Sequence, residues 1–167
     1  DLAGVDTKVV ASIQGLPQYD RLRAVLWPRA YSRADGVVAP VSSIAERTAD
    51  IAEIPVEEVR VIPNPVVTDD LLSAGKERPT HPWFEEDIPV IVAVGRQTRQ
   101  KDFATLLRAH AELREKRDVR LVVPGKTDEQ TEKLQRLLDR LDIADSVDFP
   151  GFVDNPYAYM SAADVFV

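Results

Sequence analysis

The sequence predicts an α/β fold built on Rossmann-like parallel sheets. Short β-branched runs alternate with helical patterns along the chain, and one run, Val90-Ile91-Val92-Ala93-Val94, is apolar at every position. A strand that is apolar on both faces is one that helices cover from both sides. Strand-helix-strand order throughout then makes neighbouring strands parallel, joined by right-handed crossovers.

The elements follow in order. A strand over 8–13 precedes a helical stretch from Tyr19, interrupted by Pro28 near Trp27. The next strand covers 36–39, and Ser43-Ile44-Ala45-Glu46 has the form of a capping box that opens a helix running to about Glu53. A third strand over 59–62 is stopped by Pro63-Asn64-Pro65. From there to Pro89 the chain lacks periodicity, apart from a turn of helix near Asp69 to Leu72, and reads as a boundary region. After strand 90–94, Phe103, Leu106, Leu107, His110 and Leu113 fall at helical spacing with Asp102 placed as cap. Strand 120–123 leads to a Thr127-Asp128-Glu129-Gln130 capping box, and to a helix striped by Leu134, Leu137, Leu138 and Leu141. Strand 147–149 follows, then Asn155-Pro156 as N-cap and first-turn proline of a short helix into Ala163, then strand 165–167. The chain opens without methionine and stops inside an apolar strand, so it is expected to be a central segment of something larger.

Composition sets the class. At 167 residues, 44% hydrophobic and 29% charged, the chain has the make-up of a soluble globular protein with a core to bury. A net charge of -7 argues against nucleic-acid binding, so any anion site must be local. No apolar run approaches membrane-spanning length, and no signal segment opens the chain. The absence of cysteine removes disulfides, thiol catalysis and thiolate metal sites, and fits a reducing, cytoplasmic setting.

In sheets of this kind ligands sit beyond the carboxyl ends of the strands. The loop after the central strand, Gly95-Arg96-Gln97-Thr98-Arg99-Gln100-Lys101, carries three cations and delivers the chain to a helix start. Arg96 offers a planar fork and Lys101 a point charge, a pair suited to a diphosphate; solvated loop cations are the plainer alternative. The Pro124-Gly125-Lys126 loop supports neither a dinucleotide fingerprint nor a P-loop, and Gly125 there could serve only a turn.

Four blocks together resemble the group 1 (family 4) glycosyltransferases of the GT-B fold. They are Val92-Ala93-Val94-Gly95-Arg96 through Lys101-Asp102-Phe103, then Arg120-Leu121-Val122-Val123-Pro124-Gly125, then Val147 through Tyr157 with its Gly151-Phe152-Val153 turn, then Ala162-Ala163-Asp164-Val165-Phe166-Val167. Upstream, Ala34-Asp35-Gly36-Val37-Val38-Ala39 and Val61-Ile62-Pro63-Asn64-Pro65-Val66 resemble the same family. The resemblance implies parts of two domains: 1–66 as the end of an N-terminal, acceptor-side domain, 67–88 as a linker, and 89–167 as the start of the nucleotide-sugar-binding domain. It implies a retaining, hexosyltransferase-type enzyme that moves a sugar from a UDP- or GDP-sugar donor to a sugar, glycan or lipid-linked acceptor. No metal and no further cofactor are expected, and this segment alone is not expected to transfer sugar. Arg96 and Lys101 would hold the diphosphate and stabilise its developing charge, Gly95 and Gly125 would adjoin it, and Gly151, Phe152 and Val153 would contact the base. The family's cytoplasmic location, with peripheral contact at the inner face of a membrane, is part of that expectation. A non-catalytic nucleotide-sugar-binding or interaction domain of the same ancestry is the alternative reading.

The sequence also departs from the family. The family's glutamate pair lies beyond the final strand, the glycine-rich loop of the first domain is absent, and its usual Gly-x-Gly is reduced to Gly125-Lys126-Thr127. Val41 stands where serine is common, with Ser42 one residue away. His110 is read as a packed histidine and His81 as part of a patch with Pro82-Trp83-Phe84. Asn64 either shapes the crossing turn or reaches the cleft. Leu26, Trp27 and Tyr31 form a face for the sheet or for a membrane, while Glu57-Glu58 and Glu85-Glu86-Asp87 are solvated acids.

Overall fold

The structure, a computed structural model, describes residues 7–15 and 21–167, with backbone alone at 21–25. The predicted helix start at Tyr19 and the opening residues 1–4 lie outside the described residues. The chain divides into two compact units, Asp1–Val66 and Val67–Val167.

In the first unit, strands β1 (Val10–Ser12), β2 (Gly36–Ala39) and β3 (Val59–Val61) form a parallel sheet in that order, with Ala11 opposite Val37 and Val37 opposite Val59. Helices α1 (Arg21–Tyr31) and α2 (Ser42–Ala52) supply the crossovers. Ala45 and Ala49 are buried with Ile13, Val37, Ala39 and Val59, so small residues bring α2 close to the sheet. Thr48, fully buried on the same helix, donates its hydroxyl to the Ile44 carbonyl at 2.7 Å, which satisfies a polar group that burial would otherwise penalise.

Two local readings need correcting in this unit. The Ser43 to Glu46 capping box does not form: α2 starts at Ser42 with Val41 as N-cap and no side-chain cap bond. Pro28 does not end α1 either, because the helix continues through it to Tyr31. Tyr31 packs against the core, and burial raises its phenol pKa, whereas Leu26 stays about half exposed.

The second unit carries strands β4 (Val90–Val92), β5 (Arg120–Val122), β6 (Val147–Asp148) and β7 (Val165–Phe166), all parallel and ordered β6-β5-β4-β7. The chain steps outward from β4 to β6 and then returns to the other side of β4, so the topological switch falls at the carboxyl end of β4. Alternate residues feed two cores. Ala93, Leu121, Val123 and Val147 meet Phe103 and Leu107 of α4 (Phe103–Arg114) and Leu134, Leu137 and Leu138 of α5 (Thr131–Leu141). Val90, Val92 and Val122 meet Tyr159 of α6 (Pro156–Ala162), with Trp83 and Phe84 packed alongside. Both faces of the sheet are therefore covered, as the wholly apolar β4 requires.

Residues 67–88 carry elements of their own. Helix α3 (Asp69–Ala74) is capped by the Thr68 hydroxyl, which accepts from Leu71 N–H, and a 3-10 turn covers Pro82–Glu85. His81 is buried: its Nδ1 accepts from Trp83 N–H at 3.3 Å, which leaves Nε2 to donate to the Asp148 carboxylate at 2.9 Å. Its ring meets Trp83 edge-on at 4.9 Å, and Arg120 lies 5.0 Å over the Trp83 ring. This patch is anchored to the second unit by one hydrogen-bonded histidine and three aromatic rings, including the Phe84 to Tyr159 pair at 5.6 Å.

His110 is likewise structural. The Ser146 hydroxyl donates to the Ile143 carbonyl at 3.1 Å, so it accepts from Nε2–H of His110 at 3.0 Å, while Nδ1 is buried without a partner among the described residues. Burial, with a smaller contribution from Arg114, lowers its pKa to about 4. The folded state thus favours neutral imidazole. Its contribution to stability is complete above the unfolded value of about 6.5, and is lost progressively as pH falls toward the folded value. Urea unfolding should show roughly 2 kcal/mol less stability at pH 5 than at pH 7, and His110→Met should flatten that part of the profile.

Candidate functional site

The loops after β4, β5 and β6 are stitched together by main-chain hydrogen bonds. Gly95 N–H donates to Pro124 O at 3.0 Å, Gln97 N–H to Lys126 O at 3.2 Å, and Gly125 N–H to Gly151 O at 2.8 Å. Gln130 N–H closes the set on Gln97 O at 3.1 Å. Two glycines make this possible for different reasons. A Cβ on Gly125 would lie 1.8 Å from the Gly95 carbonyl oxygen, so the contact demands absence of a side chain. Gly151 has open space around it but a φ of +80°, a conformation that side-chain-bearing residues rarely adopt.

A cavity of about 300 Å³ opens on these loops, lined by Gly95, Arg96, Gly125, Lys126, Phe152 and Val153 together with Val94, Pro124 and Pro156. Five of the residues singled out in the sequence, Gly95, Arg96, Gly125, Phe152 and Val153, thus share one wall. Lys101 adjoins it: its side chain lies along Gly95, with Cε 3.0 Å from where a Cβ would stand. Gly151 contributes its carbonyl to the stitching beneath. Phe152 is 75% exposed, a large ring held out in solvent at the mouth of the cavity. Lys126 lines it too, a cation that carried no role in the sequence reading although it directly follows Gly125.

The Arg96 guanidinium lies 3.9 Å from the Asp128 carboxylate, and its side chain is 70% exposed. Such a pair contributes about 0–1 kcal/mol, whereas charge-assisted bonds to a diphosphate contribute roughly 1.5–3 kcal/mol each. A diphosphate at this mouth would therefore displace Asp128 from Arg96.

Helix starts near the site differ from expectation. Asp102 occupies the N-cap position of α4 in a left-handed conformation, φ 46°, with no cap bond; its carboxylate accepts from the Thr105 hydroxyl instead. Helix α5 begins at Thr131, past the expected capping box, because the Thr131 hydroxyl closes a turn with the backbone of Asp128. Gln97 is 2% exposed and its Nε2 has no partner among the described residues. Gln97→Leu should remove that desolvated donor, and raise stability by about 1 kcal/mol, seen as a higher midpoint in thermal unfolding.

Parallel sheets with helices on both faces and a glycine-stitched cavity at the strand ends define a Rossmann-like α/β class, and the solved structures that share this fold are GT-B glycosyltransferases. A glycosyltransferase from Rickettsia africae superposes with a TM-score of 0.76 at 16% identity, over 97% of this chain and 45% of that one. Anabaena Alr3699/HepE, solved with UDP and glucose, gives 0.75 at 18% identity, over 95% and 45%. Residues 88–167 match the family model of glycosyl transferases group 1. Lipopolysaccharide core biosynthesis glycosyltransferase LpsE of Rhizobium meliloti is 31% identical over 137 residues, 82% of this chain and 38% of LpsE. The resemblance read from the sequence holds, and the chain spans less than half the length of these relatives.

Proposed function

We propose that this chain forms the donor side of a retaining, hexosyltransferase-type glycosyltransferase, and that its second unit holds the nucleotide and diphosphate of a UDP- or GDP-sugar. The observation that carries this reading is the cavity at the strand ends, which brings Arg96 and the exposed Phe152 ring together, with the Lys101 side chain alongside Gly95. Arg96 and Lys101 supply charge for a departing diphosphate, and Phe152 with Val153 offers an apolar surface to a base. Cations placed where charge develops do without a metal what a divalent ion would do. The related HepE is solved with UDP and glucose, and LpsE is a lipopolysaccharide core glycosyltransferase, which supports a nucleotide-sugar donor and a glycan or lipid-linked acceptor. With such an acceptor the whole protein would work in the cytoplasm, in peripheral contact with the inner face of a membrane. No helix among the described residues is long and apolar enough to cross one.

Calorimetric titration with UDP and GDP, alongside a transfer assay on the whole protein and on the 167-residue segment, tests the reading. Diphosphate binding by both, with transfer by the whole protein alone, is the expected result. Binding without transfer in the whole protein would favour the non-catalytic alternative, and no binding at all would remove the site.

A further inference from the structure

A second cavity of about 430 Å³ lies in the second unit, and shares only Phe152 and Val153 with the donor cavity. One wall is residues 77–80, and the other is the loop before α6 with that helix's first turns. An account of its polar groups shows which remain available. Asn155 is fully used: Nδ2 donates to Ala74 O at 2.9 Å and to Glu77 Oε2 at 2.7 Å, and Oδ1 accepts from Ala158 N–H at 3.2 Å. Arg78 meets Glu85 at 3.3 Å in an exposed pair that engages one of its guanidinium nitrogens. The Thr80 and Tyr159 hydroxyls lie 3.2 Å apart, so their mutual bond uses one proton and leaves the other. Glu77 keeps its second oxygen, and the Asp154 carboxylate has no partner among the described residues.

What converges on this cavity is a set of acceptors, one hydroxyl donor, the Arg78 guanidinium shared with Glu85, and the edge of an exposed aromatic ring. An anion would find the Glu77 and Asp154 carboxylates against the one guanidinium of Arg78, itself shared with Glu85. An apolar ligand would cover the Thr80 and Tyr159 hydroxyls and leave their spare proton without an acceptor. A ligand rich in hydroxyl donors, with an apolar face for Phe152, satisfies all of them, and the volume lies in the usual range of ligand sites, about 300–1,000 Å³. We propose that the cavity bounded by Glu77, Thr80, Asp154, Tyr159 and Phe152 is a binding site for a neutral sugar residue, distinct from the donor site. It goes beyond the transfer reading, since the argument rests on this cavity's own groups.

The test is NMR titration of the protein with methyl α-glucoside and N-acetylglucosamine, with glucuronate as the anionic comparison and UDP in a separate series. At least one neutral sugar should give saturable shifts at the amides of 77, 78, 80 and 152–155. Thr80→Val and Asp154→Asn should each weaken that binding about 5- to 10-fold. Thr80→Ser, which keeps the hydroxyl, should restore it, and UDP affinity should be unchanged in all three. Absence of saturable shifts with both neutral sugars, tighter binding of glucuronate, or shifts confined to 94–96 and 124–126 would overturn the proposal. Failure of UDP to bind while a neutral sugar still saturates these amides would count against the donor reading instead.

Discussion

Arg96→Ala or Lys101→Ala in the whole protein is expected to lower sugar-transfer turnover by ~10²–10³-fold, the usual loss when one preorganised charge stabiliser is removed. The geometry explains why each cation matters separately. Arg96 stands at the start of the loop that leaves the central strand, beside the sheet's switch point, where its one ionic partner among the described residues is the Asp128 carboxylate at 3.9 Å. Lys101 reaches the same place by laying its aliphatic stem along Gly95, so its charge is positioned by contact rather than by a salt bridge. Among the described residues no close ion pair holds either cation, so on the proposed reading both are available for the charge that develops on a departing diphosphate. Arg99→Ala, in the same loop but outside the cavity lining, serves as the comparison and should leave turnover within a few-fold. Steady-state rates with a saturating nucleotide-sugar donor decide it. Unchanged turnover in both variants would mean that the diphosphate is held elsewhere.

The fold was legible because each strand and helix carries a local apolar pattern. Val90 to Val92 reads as central because every position is apolar, and the structure indeed divides these residues between two cores, Ile91 toward α4 and α5 and Val90 and Val92 toward α6. Helix starts were less legible. A Ser-x-x-Glu string licenses a cap, but Val41 opens α2 one residue ahead of Ser42, and the Thr131 hydroxyl spends itself on Asp128 backbone before α5 begins. Pro28 removes one backbone donor from α1, yet the helix continues because packing between α1 and α2 outweighs a single missing bond. Within the candidate site, Arg96 and Lys101 could be singled out because cations at a strand end sit where ligands bind. The contact between Gly125 and Gly95 could not, since it joins residues from two loops with no local signature. Lys126 was overlooked for the same reason: its place in the cavity depends on where the neighbouring loop pins its carbonyl.

Gly125→Ala is the second substitution with a large expected effect, and it separates a glycine needed for space from one that merely turns the chain. The added methyl would sit 1.8 Å from the Gly95 carbonyl oxygen and 2.5 Å from its carbon. Both obstacles are backbone, so no rotamer change relieves the clash, and the two loops must separate. Separation breaks the Gly95 to Pro124 and Gly125 to Gly151 hydrogen bonds, and with them the Gln97 to Lys126 bond that carries the chain past Arg96. Losing two or three such bonds in partly buried loops, at about 1 kcal/mol each, gives an expected destabilisation of roughly 2–3 kcal/mol by urea unfolding. Gly36→Ala provides the contrast, because its Cβ would meet nothing nearer than the Val10 Cγ2 at 3.9 Å, an ordinary contact. That change should be neutral, or stabilising by a few tenths of a kcal/mol, since glycine in a strand costs backbone entropy. The two consequences of Gly125→Ala also part company in a useful way. Where the protein remains folded, the displaced loop should carry Arg96 away from Phe152 and weaken nucleoside diphosphate binding by tenfold or more, measured by calorimetry below the unfolding transition. A variant that keeps both wild-type stability and diphosphate affinity would show that the close approach of these loops is not what builds the cavity.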